Sequence, residues 1–132
     1  MTLGMYVAVA AGGALGAVAR YSVSVAVGAG IFGLAGPTAT LLVNIAGSAL
    51  MGLFAGIMAA GFMVPEVWRG FLAVGFLGAL TTFSSFALDA GNLIQKQGVG
   101  MAALYIGASV VLSLLAFGMV YALCTMAMRG AQ

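Results

Sequence analysis

"GFLGALTTFSSF", residues 75–86, interrupts a chain that is otherwise almost continuously apolar. Gly75 and Gly78 come first, then the hydroxyl residues Thr81, Thr82, Ser84 and Ser85, with Phe83 and Phe86 among them. Glycine weakens a helix, and threonine and serine hydroxyls can bond the backbone groups that a weakened helix sets free. Inside an apolar run, that combination predicts a discontinuous transmembrane helix whose loosened carbonyls can coordinate a cation.

The rest of the chain supplies the membrane context. It is 132 residues long, enough for one domain, and 64% of it is hydrophobic, with a further 21 glycines. Only Arg20, Glu66, Arg69, Asp89, Lys96 and Arg129 carry charge. A water-facing domain needs about a quarter of its residues charged, so this composition is that of a membrane protein. There is no histidine and Cys124 is the single cysteine, which excludes disulfide frameworks and Cys/His metal sites. Cys124 reads as a small packing residue in an apolar helix. The net charge of +2 is scattered, so no patch for nucleic acid is present. The opening "MTLGMYVAVAAGG" lacks a basic n-region and is expected to be retained as the start of a span.

A bilayer core is crossed by about 20 apolar helical residues. Stretches at 3–27, 37–62, 68–95 and 99–128 meet that length, and predict an all-α, four-span domain covering 1–132. The breaks are "GAGIFGLAGP", "MVPEVWRG" and "NLIQKQG", with Pro37 and Pro65 suited to helix starts. Orientation normally follows an excess of Lys and Arg on the cytoplasmic side. Here Arg69 and Arg129 fall on one side, and Arg20 and Lys96 on the other. Two readings remain open: weak bias with one orientation, or dual topology with copies paired antiparallel. A four-helix chain without internal repeats is hard pressed to enclose a polar pathway alone, which favours the antiparallel homodimer. Gly12/Gly16, Gly52/Gly56 and Ser48/Gly52 have the spacing by which helices pack closely in lipid.

Polar groups at membrane depth are few. The second span holds Thr38, Thr40 and Asn44, the third holds the opening motif and Asp89, and the fourth holds Tyr105, Ser109 and Ser113. Spacings of four place the last three on one helical face. Asn44 is expected either to bond another helix or to offer an amide donor to a passing anion. Phe83 and Phe86, three apart, share a face; they either pack or turn their positive ring edges towards an anion. Asp89 has two readings as well, solvation near the interface or a part in gating or coordination. Neutral donors of this kind suit permeation, because a site must strip water yet release its ion. The residues thus suggest an anion pathway without naming the anion.

Three motifs, "GGALGAVARY" (12–21), "TLLVNIAGSALMG" (40–52) and "GFLGALTTFSSF" (75–86), together resemble the Fluc family of fluoride channels, also called CrcB. The resemblance runs over nearly the whole chain. It implies an antiparallel dual-topology homodimer in the cell's inner or plasma membrane, with two fluoride pores. Asn44 would be the pore asparagine, and Phe83 and Phe86 the pair facing fluoride, each pore drawing its Phe and Asn from different subunits. Thr40, Tyr105, Ser109 and Ser113 would form the polar track, and Arg20 would sit at a vestibule. The carbonyls of Gly78 and Thr81 from both subunits would hold one structural Na⁺ on the dimer axis. Ser85 stands where the family often has threonine, and "GSALMG" where it often has bulkier residues.

The competing reading is a small proton-coupled multidrug transporter of the four-span type. That chemistry needs an acid in the first span, which here has none. A purely structural subunit leaves Asn44 and the aligned hydroxyls without a purpose. An enzyme would need a nucleophile–base pair or a metal cluster, and neither is visible. Fluoride export through a passive channel needs only a negative-inside potential, which drives an anion outward with about 2.3 kcal/mol per 100 mV.

Overall fold

The computed structural model describes residues 3–28, 30 and 33–130; part of the expected first loop, 28–37, lies outside them. The described chain is built from helices joined by short turns and one extended break. In order come α1 (Leu3–Val27), α2 (Ala35–Ala59), α3 (Glu66–Arg69), a π-helical segment (Gly70–Leu77), α4 (Gly78–Leu80), α5 (Phe83–Gln97) and α6 (Val99–Arg129). The pieces from Glu66 to Gln97 make up the third span, so four stretches are long and apolar enough to cross a bilayer.

Helix packing follows from the glycines. α1 lies along the third span in the same direction, with Gly12 against the backbone at Phe71 and Phe76, and Gly16 against Phe76 and Ala79. α2 lies along α6, also in the same direction, with Gly52 on the Phe117 backbone and Gly56 on Cys124. In lipid, such association relies on close van der Waals contact, which a side chain at these positions would prevent. Both expected glycine pairs therefore serve contacts within the chain, and Cys124 packs as expected.

The π-helical segment was not foreseen. A π-helix is wider than an α-helix and normally lasts a single turn; this one runs for 8 residues. Bare backbone on both sides accommodates it: a Cβ on Gly75 would lie 2.7 Å from the Val9 carbonyl oxygen, and Gly12 faces it. After one turn of α4 the helix stops outright. Thr81 (φ −80, ψ 153) and Thr82 (φ −152, ψ 122) are extended, which places the predicted discontinuity within residues 75–86 at the two threonines.

Several boundaries differ from the sequence expectation. The second span begins at Ala35, leaving Pro37 inside its first turn, and ends at Ala59 near Gly61, whose φ is +93. The third span begins at Glu66, just after Pro65, and continues to Gln97. The expected loop "NLIQKQG" is therefore mostly helix. Gly98 alone, at φ +90, turns the chain from α5 into α6, a conformation that glycine adopts freely. The fourth span runs on to Arg129.

Very little is buried. One small cluster joins Ala90, Leu93, Ala102 and Tyr105; another joins Val43, Leu77 and Leu80. The most apolar 18-residue stretch of α6 has no buried residue at all. Helices that are apolar on every face belong in lipid or against a partner. The chain is a multi-pass membrane protein.

Adjacent glycines of α1 provide a test of this packing. Gly12→Ala puts a methyl group into the third-span backbone, while Gly13 has open space around it. Thermal melting in detergent should show Gly12→Ala destabilised by about 1–3 kcal/mol, the usual cost of overpacking. Gly13→Ala should be neutral or better, as expected for a helical glycine replaced without a clash.

Candidate functional site

Thr82 is the hub of the break. Its N–H donates to Asn44 Oδ1 at 2.8 Å, and its carbonyl accepts from Asn44 Nδ2 at 3.1 Å. The Asn44 amide thus pairs with a single residue's backbone as a neighbouring strand would. Thr82 also caps α5: its Oγ1 accepts the Ser85 N–H at 3.2 Å and donates to Ser85 Oγ at 3.1 Å. That bond supplies one of the orphan donors at a helix start with an acceptor. Upstream, the Thr81 hydroxyl donates to the Leu77 carbonyl at 2.9 Å, beside the Thr81 N–H. Asn44 therefore does bond another span, and the second N–H of its Nδ2 is left over.

Phe83 and Phe86 start α5 on one face, ring centroids 5.4 Å apart, and Phe86 in turn lies 5.5 Å from Tyr105. Phe83 keeps 80% of its surface off its own chain. Together with Asn44, Thr81, Thr82, Ser109 and Ser113 the two phenylalanines line an open groove of about 460 Å³, otherwise walled by Gly47, Ser48, Met51, Leu77, Val110, Leu114 and Phe117. The hydroxyls of Ser109 and Ser113 are buried and have no hydrogen-bond partner among the described residues. An unpaired polar group costs free energy in an apolar setting, so both are donors in want of an acceptor.

A second cavity of about 210 Å³ lies on the other side of Thr82 and is lined by Arg20, Tyr21, Ser24, Thr40 and Ser85, among others. Thr82 belongs to both cavities, so the clamped break is the wall between them. Arg20 and Thr40 are thus separated from the Phe83 groove within one chain.

The remaining track residues converge elsewhere. The Thr40 hydroxyl donates to Asp89 Oδ2 at 2.6 Å, and the Tyr105 hydroxyl donates to the same oxygen at 3.5 Å. Tyr105 is buried behind Phe86 and does not line the groove. Sequence reasoning placed Thr40 and Tyr105 beside Ser109 and Ser113 as equivalent donors; the structure divides them, because two of the four hydroxyls already serve a carboxylate. A signal for this was present: a lone acid within a span demands bonded partners.

No group of three His, Cys, Asp or Glu side chains that could hold a metal exists among the described residues. A cation here would rest on backbone oxygens. A continuous α-helix would pair the Thr82 N–H with the Gly78 carbonyl and the Ser85 N–H with the Thr81 carbonyl. Both donors go elsewhere, to Asn44 and to Thr82 Oγ1. The carbonyls of Gly78 and Thr81 therefore lack their helical partners and suit a hard monovalent ion.

This arrangement can be set beside known proteins. Residues 7–121 match the family described as CrcB-like protein, Camphor Resistance (CrcB). The chain is 50% identical over 109 residues to the fluoride-specific ion channel FluC of Rhodospirillum centenum, covering 83% of this chain and 86% of that one. It is 51% identical over 106 residues to fluoride-specific ion channel FluC 1 of Nitrobacter hamburgensis, covering 80% and 83% of the two chains. FluC of Saccharophagus degradans is 47% identical over 110 residues, covering 83% and 81%. With its four spans, its broken third helix and these matches along most of its length, the chain belongs to the CrcB-like protein family.

Proposed function

We propose that the chain is a fluoride-selective passive channel of the cell's inner or plasma membrane, working as an antiparallel dual-topology homodimer with two pores. The observation that carries this reading is the groove at the break, which offers neutral donors and aromatic edges and no fixed charge. Such a lining can replace an anion's water while holding it loosely enough to release. The names of the related FluC proteins supply the ion.

The division of labour follows from the geometry. Arg20, in the cavity behind Thr82, draws anions to a vestibule. The leftover Asn44 N–H, the edges of Phe83 and Phe86, and the Ser109 and Ser113 hydroxyls take over the ion from water. Thr40 and Tyr105 join only as far as Asp89 gives up their hydroxyls. Phe83, mostly off its own chain, presents its ring to a groove that a second copy completes. Within one chain Asn44, Phe83 and Phe86 already line the same groove, against the expectation that each pore takes its Phe pair and its Asn from different subunits. The balanced charges of Arg69 and Arg129 against Arg20 and Lys96 support insertion both ways.

The Gly78 and Thr81 carbonyls would hold the structural Na⁺, doubled by the second subunit to a set of four neutral oxygens. When bound, the ion supplies a positive charge that offsets converging carbonyl dipoles and ties the two breaks together. No ATP site is needed, since the membrane potential alone moves the anion outward.

Liposomes holding the purified protein test the reading. Fluoride should leave quickly, as followed with a fluoride electrode, while chloride stays; release of neither ion from folded dimers would overturn it. Phe83→Ile and Phe86→Ile should each lower fluoride efflux by about tenfold or more, equivalent to ~1.4 kcal/mol of barrier, with the dimer intact on size exclusion. Dual topology has its own readout. With Cys124→Ser and Gln97→Cys combined, which leaves every charge in place, an impermeant maleimide applied to spheroplasts should label about half of the copies before lysis and the rest after it, since equal numbers face each way when charge bias is absent.

A further inference from the structure

Two backbone donors are diverted at the break, and one of them is diverted by a residue outside the third span. We propose that Asn44, seconded by Gly47 one turn away, is the positioning residue for the cation site, so that a single amide serves both the cation carbonyls and the anion groove. The inference rests on the reading of the Gly78 and Thr81 carbonyls as the cation site.

The chemistry leaves one arrangement for the amide. The Thr82 N–H needs an acceptor and the Thr82 carbonyl needs a donor, so Oδ1 faces the first and Nδ2 the second. These two bonds fix the rotation of Thr82 on both sides of its Cα, at φ −152 and ψ 122. With the Thr82 N–H held by Asn44, it cannot close a helical bond to Gly78. The Gly78 carbonyl stays unpaired for as long as the Asn44 bond lasts. In hydrocarbon an unpaired carbonyl costs several kcal/mol, so without the clamp the chain gains by re-forming the helical bond.

α2 touches the break a second time. Gly47, three residues on from Asn44, has no Cβ, and the space is filled by the Thr81 side chain. A methyl group at Gly47 would displace Thr81, whose carbonyl is the other cation ligand. α2 therefore grips the break at two points, through the backbone of Thr82 and the side chain of Thr81. Asn44 itself lines the groove with Phe83 and Phe86, and its Nδ2 has a second N–H that Thr82 does not use. A shift in Thr82 would re-aim that N–H, and this links cation binding to the anion path.

The test is Na⁺ titration of the full-length purified protein, with N-methyl-D-glucamine as the replacement cation. A ligand that binds only the folded state stabilises it by RT ln(1 + [L]/Kd), so fitting the rise in melting temperature against Na⁺ concentration yields the Na⁺ midpoint, its Kd, without any flux measurement. Asn44→Ala and Gly47→Ala should each move that midpoint up by about tenfold or more. Phe83→Ile should keep the wild-type midpoint although its fluoride efflux falls. Wild-type midpoints in Asn44→Ala and Gly47→Ala would overturn the proposal. Should Asn44→Ala fail to fold, Asn44→Ser, whose short side chain cannot pair with both backbone groups of Thr82, takes its place with the same expected shift of the midpoint. Wild-type melting that ignores Na⁺ would overturn both the cation site and this proposal, while fluoride efflux would still judge the channel reading separately.

Discussion

Inside a bilayer no water stands ready to bond a freed peptide group, and the whole architecture answers to that constraint. The third span stops being helical at Thr81 and Thr82, which leaves N–H and C=O groups without their usual partners. Asn44 meets one of these residues with both ends of its amide, and the Thr82 hydroxyl meets the Ser85 N–H. Without those bonds the break would heal into a helix, the carbonyls of Gly78 and Thr81 would be taken up again, and Phe83 and Phe86 would rotate with the helix that carries them. The positions of the aromatic pair, the wall between the two cavities and the freed carbonyls of Gly78 and Thr81 all descend from that one amide pairing.

Selectivity then comes from what the groove leaves out. A lysine or arginine on the path would bind an anion tightly and hold it. The groove instead has one amide N–H, two ring edges and two buried serine hydroxyls, while the one nearby cationic side chain, Arg20, stays beyond Thr82. Asp89 complicates the other side of this scheme. As an acid deep within a span it needs partners, and Thr40 and Tyr105 provide them. Their hydroxyls are therefore already engaged by a fixed carboxylate, which distinguishes them from Ser109 and Ser113.

Much of this was legible in the residues. Four spans follow from apolar length alone, and the weakness of the third follows from glycines and hydroxyls in the same window. Gly12, Gly16, Gly52 and Gly56 announced close helix contacts, and the structure shows a backbone or Cys124 against each. What escaped were features set by tertiary contact. The π-helical stretch depends on Gly75 meeting Val9 and Gly12, a pairing between residues over 60 positions apart that no local pattern reveals. The break settled on Thr81 and Thr82 because Asn44 was there to hold it, 38 residues away in sequence. "NLIQKQG" looked like a loop by its polarity, yet polar residues at the end of a span can stay helical at the interface, and one glycine sufficed to turn the chain. Asp89 was seen but not its partners, since Thr40 lies 49 residues away.

The claim on which the rest depends is that Asn44 holds Thr82 open within the membrane. Solid-state NMR of protein in lipid, with side-chain ¹⁵N on asparagine and carbonyl ¹³C on threonine, measures it directly. Asn44 Nδ2 and the Thr82 carbonyl carbon should show measurable recoupling, because Nδ2 lies 3.1 Å from the carbonyl oxygen, and the signal should vanish in Asn44→Asp, which has no nitrogen to offer. Resolved Asn44 and Thr82 signals without recoupling would contradict the account, because the break would then be held by something else.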